Sequence, residues 1–479
     1  GPKVLLVAPN YSYRSTSGDA AERLAVAESF AQSVLWGFEV AAEDHGRVLV
    51  DATQFLLRDA HNVAGALQRA DKSNYKVDPS RTAFYLPATK NFPDNTEVEV
   101  TLTLTGGPPG RYLRPVTPAA DAVTVREHHS FIRLPGPGYT PRAFDPRAGY
   151  FGIEFMDLTA PLGTRPQTRY LSRHRLAKKD PTAAVSDPVK PIVYYLDRGA
   201  PEPLRSALLE GARWWNQAFE AAGYRNAFQV ELMPEGMDPM DIRYNIIQWV
   251  HRSTRGWSYG GGVTDPRTGE ILKGKVTLGS LRARQDYLIA EALLAPYEAG
   301  APIPPDMREM VLARIRQLAA HEVGHTLGLA HNYISSAQGD ASVMDYPHPK
   351  AEIGRDGKID LSKAYGRGIG EWDKIAITYG YQDFAPGVDQ RAALDGMLQA
   401  AIKRGLWFLS DQDARPAGSA HPQVHLWDNG PDAVEELTRW MQVRAKALAN
   451  FSEKNIKEGE PMSQLEDTLA PLYLSHRYQ

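Results

Sequence analysis

Residues 321–331, His-Glu-Val-Gly-His-Thr-Leu-Gly-Leu-Ala-His, constrain the fold of this chain more than any other stretch. In a helix, His321 and His325 stand one turn apart on the same face, close enough to hold one ion between them. Glu322 then points toward the open side of that ion. Gly328, having no Cβ, is free to take a positive φ, end the helix and swing His331 round as a third nitrogen donor. Three donors leave one position for water, the arrangement of a catalytic zinc site rather than a structural one. The pattern therefore demands a long helix running to about residue 328. Pro304 and Pro305, with Asp306 as N-cap and Glu309 three residues on, supply its start.

Composition narrows the chemistry further. The chain has no cysteine, which excludes disulfides, thiolate metal sites and a cysteine nucleophile. Metal chemistry must use His, Asp and Glu. With 54 basic and 57 acidic residues the formal charge is -3, so no global field draws in nucleic acid. Apolar runs fall far short of the roughly 18 residues of a membrane-spanning segment. Gly1-Pro2 lacks the features of a targeting segment and reads as a candidate expression scar.

At 479 residues, two or three domains are expected. Residues 1–175 alternate β-branched and aromatic runs with Gly/Pro turns, as in 96–105 (TEVEVTLTLT), and read as a β-rich domain containing one helix over 20–32 behind Asp19. Residues 176–191 are rich in Pro, Ala and Lys and read as a linker. Residues 192–384 form the expected catalytic domain, with strands at 192–196, 228–233 and 242–250, a helix over 201–222, and a hairpin around 265–269. Residues 385–479 read as a helical extension, clearest at 390–404 and 432–451.

Two segments carry a family resemblance. HEVGHTLGLAH resembles the HExxHxxGxxH pattern of the metzincins, and Ser342-Val343-Met344-Asp345-Tyr346 resembles their Met-turn. More loosely, residues 205–223, 260–274 and 370–373 resemble a bacterial family of large secreted met-zincin proteases. The resemblance implies an α+β zincin fold, a mixed twisted sheet with a long active-site helix. It also implies one catalytic zinc ion, a peptide or protein substrate and a secreted or periplasmic location. Under it Glu322 is the general base, Tyr346 a fifth zinc ligand that swings away to stabilise the oxyanion, and Met344 the apolar floor of the site. An extended substrate is expected to add to a strand within 272–279, and residues 345–368 to wall the S1′ side. The rival reading is a zinc-stabilised peptide- or glycan-binding protein with a latent site.

Other patterns weigh less. Asp411, Asp413 and Asp428 are candidate ligands of a structural calcium ion but fit no EF-hand spacing. Gly269-x-x-x-x-Gly274-Lys275 imitates a phosphate loop, yet Val276 replaces the required hydroxyl residue and the following run is strand-like. His421 and His425 lack an intervening Glu and are separated by Pro422, whereas His128 and His129 are neighbours on a strand and should face opposite ways. The basic group Arg169, Arg173, Arg175, Lys178 and Lys179 reads as a solvated face, with a processing site as the sharper alternative.

Overall fold

Thirteen residues of alternating pattern, Asn95–Gly107, form the longest strand, and their period of two sends Leu102 and Leu104 into full burial against Tyr75, Leu113 and Val123. The computed structural model describes residues 2–252, 256–298, 302–419 and 421–478. The chain divides into two compact units. The first comprises Gly1–Pro137, Glu154–Thr168 and Asp238–Arg243. In it, Asn95–Gly107 pairs antiparallel with Ala122–Ile132 and carries three shorter strands, while Ser33–Asp44 pairs with Lys3–Ala8 and Arg47–Val50 in a second sheet. The expected N-terminal helix is present at Ala20–Ser29, with the Asp19 side chain accepting from the Ala21 N–H. His128 bonds Glu97 and Glu99, whereas His129 bonds the Leu56 carbonyl, so the two rings do face opposite ways.

The second unit comprises Gly138–Ile153, Arg169–Met237 and Tyr244–Gln479. Its sheet contains Arg173–His174 (β1), Ile192–Leu196 (β2), Phe228–Leu232 (β3), Asn245–Val250 (β4), Tyr259–Thr264 (β5) and Glu270–Gly279 (β6). The order is β1-β6-β4-β2-β3, with β5 also paired to β6. All pairs are parallel except β5 with β6, so the sheet is mixed. Tyr194, Leu196, Ile247 and Val276 are fully buried, as expected of parallel strands covered by helices. Residues 272–279 were expected to offer a free edge, but Lys275, Val276 and Thr277 pair on both sides, with β4 and with β5. Among the described residues the antiparallel strand β5 pairs only with β6 and is the edge there. The phosphate-loop imitation falls in this hairpin, with Lys275 inside β6.

The expected helix over 201–222 is two, Leu204–Arg213 (α1) and Trp215–Ala221 (α2), which meet at Trp214. Leu281–Leu294 (α3) precedes the long helix Pro305–Thr326 (α4), in which Pro304 takes the N-cap position without a side-chain capping bond and Asp306 lies inside the first turn rather than at the N-cap. Gly211 lets α1 approach α4 closely, since a Cβ there would overlap the Arg316 carbonyl. Glu371–Tyr381 (α5), Gln390–Lys403 (α6), Ala433–Asn450 (α7) and Gln464–Leu474 (α8) complete the helical C-terminal part. Trp440, Val443 and Leu472 from α7 and α8 share a core with Met307 and Met310 of α4.

The unit boundaries differ from those expected at 175 and 191. Residues 176–191 lie within the second unit, with Leu176, Lys178 and Ser186 buried. Their backbone groups are satisfied locally, Lys179 N–H donating to the Asp187 carbonyl (2.9 Å) and Val189 N–H to that of Ala177 (2.8 Å). A composition poor in large apolar residues thus belongs here to an ordered loop. The basic group beside it is a solvated face only in part: Arg169, Arg175 and Lys179 are exposed, whereas Lys178 is buried and buried Arg173 donates to the Gly380 and Thr140 carbonyls. Among the described residues no helix is long and apolar enough to cross a membrane.

Candidate metal centre

Helix α4 ends where the sequence requires. Gly328 has φ +102°, a value that strains any L side chain, and a Cβ there would overlap the Ser172 carbonyl. Its N–H donates to the His325 carbonyl (3.0 Å) and the Leu329 N–H to that of Gly324 (3.0 Å), satisfying carbonyls of the last turn. The outgoing chain is steered by Phe151, whose N–H donates to the Gly328 carbonyl (2.8 Å), and by Ala330, whose N–H donates to that of Gly149 (2.8 Å). His331 is thereby turned back toward α4.

The three imidazoles converge. His321 donates from Nδ1 to the Val343 carbonyl (2.8 Å), His325 from Nδ1 to the Leu329 carbonyl (2.8 Å), and His331 from Nδ1 to Asp411 Oδ2 (2.7 Å). With every Nδ1 occupied, each ring presents Nε2 inward. The His321 and His325 Nε2 atoms are 3.2 Å apart, and His331 Nε2 is buried without a hydrogen-bond partner. One donor atom from each ring lies within 4.8 Å of the others, the one such group of metal-holding side chains among the described residues. Two nitrogens about 2.0–2.1 Å from a tetrahedral zinc ion stand roughly 3.3 Å apart, so the donor set fits that ion. Burial pushes the His325 imidazole down to about 4 and that of His321 well below its ordinary value, which keeps both rings neutral and able to ligate near neutral pH.

Glu322 is 4% exposed, and burial pushes its carboxyl up to about 8 against the opposing pull of Arg314 and of the Gly260 N–H. Gly260 belongs to β5, and a Cβ there would overlap the Glu322 carbonyl, so the edge strand lies directly against α4 at the level of the histidines. The Tyr346 ring sits 4.6 Å from His331 and 5.0 Å from His321, and stacks on Trp427 at 5.0 Å. Burial pushes its phenol up to about 12. Met344 is fully buried beneath Gly324, where a Cβ would overlap its sulfur. Residues 342–346 are pinned by buried Asp373, which accepts from Ser342 Oγ (2.6 Å) and the Val343 N–H (2.8 Å).

Three partners of this centre were not read as such from the sequence. Asp411 was singled out for calcium, but its carboxylate faces His331 and Tyr333 instead. Tyr333 stacks on His331 at 5.1 Å, and Trp427 backs Tyr346. Asp413 accepts from the Ser410 N–H (3.0 Å), and neither it nor Asp428 joins a metal-holding group among the described residues. The same holds for His421 and His425. The one available signal was a run of aromatic and acidic residues after 405 in a segment otherwise lacking regular pattern.

Residues 304–479 match the family model described as Met-zincin. Its matched span holds α4, all three histidines, Glu322, Tyr346, Asp411 and Trp427, whereas β1 to β6 precede it. Together with the three-histidine group, the Met-zincin match supports zinc as the metal and a metalloprotease as the class of protein. Residues 1–179 match a domain of unknown function (DUF5117). No curated protein matches the sequence. The solved structure of archaemetzincin from Methanopyrus kandleri is 13% identical and covers 47% of this chain and 99% of its own, at a TM-score of 0.17 too low to argue a shared fold.

Proposed function

We propose that the protein is a zinc-dependent endopeptidase. The observation that carries this reading is the convergence of three Nε2 atoms beside buried Glu322, with each Nδ1 already engaged. His321, His325 and His331 would hold the ion, whose chemistry when bound is Lewis-acid polarisation of a carbonyl and a lowered pKa for water. Glu322 takes the proton of the attacking water and delivers it to the departing amine. Tyr346, packed between His331 and Trp427, donates its hydroxyl to the oxygen that gains charge in the tetrahedral state. Met344 serves as the floor, in the manner of a Met-turn.

For the substrate strand, β5 replaces the expected 272–279. It is the sheet edge beside α4, and an extended peptide pairing with it would pass over the histidines. A peptide or protein substrate and an extracytoplasmic setting are part of the same proposal. The test is digestion of a mixed peptide library by wild type and Glu322→Ala. Cleavage that stops with chelator, returns with zinc and is lost in a zinc-retaining Glu322→Ala protein is the expected result. Equal turnover by the variant would end the mechanism.

A further inference from the structure

The three histidines are not supported alike. His321 and His325 are held by α4 and donate to backbone carbonyls, which are neutral acceptors. His331 lies past the helix end and donates to a carboxylate supplied 80 positions further along the chain. We infer that Asp411 is a positioning residue for the third metal donor, so that the short helix Asp411–Ala414 is integral to the metal centre. The inference rests on the zinc reading of the three histidines.

Asp411 is itself well anchored. Its Oδ2 accepts from His331 Nδ1 (2.7 Å), and its Oδ1 accepts from Tyr333 Oη (3.2 Å) and pairs with Arg415 Nε (3.1 Å). The chain on either side is laced to the residues after His331. Tyr333 N–H donates to the Leu409 carbonyl (3.0 Å), Leu409 N–H to Asn332 Oδ1 (3.2 Å), and Asn332 Nδ2 to the Trp407 carbonyl (3.1 Å). A carboxylate on Nδ1 fixes the tautomer, so that the Nε2 lone pair faces the other two rings, and it makes that nitrogen a stronger donor to a cation. Without it, the ring is held by contacts with neighbouring rings, those of Tyr333, Tyr346, His321 and His325, none of which fixes the tautomer through Nδ1.

The experiment measures zinc affinity by competition with a chromophoric chelator, in full-length protein whose metal-free fold is checked by circular dichroism. Asp411→Ala is expected to weaken zinc binding about 10- to 100-fold. Asp411→Asn, which keeps an acceptor and loses the charge, should fall between it and wild type. Asp413→Ala removes the bond from the Ser410 N–H that caps the short helix Asp411–Ala414 without touching His331, and should bind zinc as wild type does. Affinity within twofold of wild type in folded Asp411→Ala overturns the inference. So does an equal loss in Asp413→Ala, which would trace the effect to the short helix rather than the Asp411 carboxylate. Wild type that takes up no zinc overturns it together with the reading beneath it. Wild type that binds zinc but cleaves no peptide, with Asp411→Ala weakened as stated, sinks the peptidase reading and supports this one.

Discussion

Gly324, between the two helical ligands, shows how tightly single residues are specified. A Cβ there would overlap Met344 Sδ and come within 2.7 Å of the Trp215 ring, whose Nε1 donates to the Ala320 carbonyl (2.7 Å). Gly324→Ala is therefore expected to destabilise the fold by about 1–3 kcal/mol, the usual cost of overpacking, and denaturant unfolding measures it. Unchanged stability would mean the floor of the site is looser than its packing indicates. Tyr346→Phe should lower kcat by a larger factor than it weakens zinc binding, because the hydroxyl acts on developing charge. Full activity of Tyr346→Phe would reduce this residue to packing. The approach of His321 and His325 was legible because helical pitch alone puts residues four apart on one face. Asp411 and Trp427 were not, because only the tertiary fold brings them to His331 and Tyr346.

At the scale of elements, α4 and the strands with local signals appear close to where pattern placed them: Ile192–Leu196 matches its expected bounds, and the hairpin flanks 265–269. Pairing between strands was less legible. Residues 272–279 have the composition of a good edge strand, but nothing local in them records that β4 and β5 take both sides. The interruption of the 201–222 helix is slight, since Trp214 keeps a right-handed helical backbone (φ -55°, ψ -30°) and its N–H turns to the Gly211 carbonyl (3.2 Å). If β5 carries the substrate, peptides N-methylated at alternate amides flanking the cleaved bond should lose about 3- to 10-fold in kcat/KM for each hydrogen bond removed, with the intervening positions tolerated. Equal losses at every position, or none, would detach the substrate from this edge.

The molecule as a whole divides differently from its composition. The β-rich N-terminal region is real, but the polar stretch 176–191 belongs to the second unit, and the helical C-terminal part contributes side chains to the metal centre. Composition reports solvent preference, and a loop that satisfies its own backbone can be polar and ordered at once. One consequence concerns acid stability. His174 is fully enclosed, with Nε2 within 3.0 Å of the Thr326 carbonyl, and burial pushes its imidazole down to about 4. Its folded pKa lies below the unfolded value, so its contribution is complete above about pH 6.5 and is lost as pH falls toward 4, by roughly 3 kcal/mol. Urea unfolding of zinc-free protein should show His174→Gln losing less stability than wild type over that interval. Parallel losses would place the acid sensitivity elsewhere.

The central claim is that a single zinc ion is gripped by His321, His325 and His331 with a position left for solvent. X-ray absorption at the zinc edge of stoichiometrically loaded protein tests it most directly. Three imidazole nitrogens at about 2.0–2.1 Å with one or two non-imidazole oxygens is the expected first coordination sphere. A sulfur ligand, fewer than three imidazoles, or four protein donors with no solvent oxygen would contradict it.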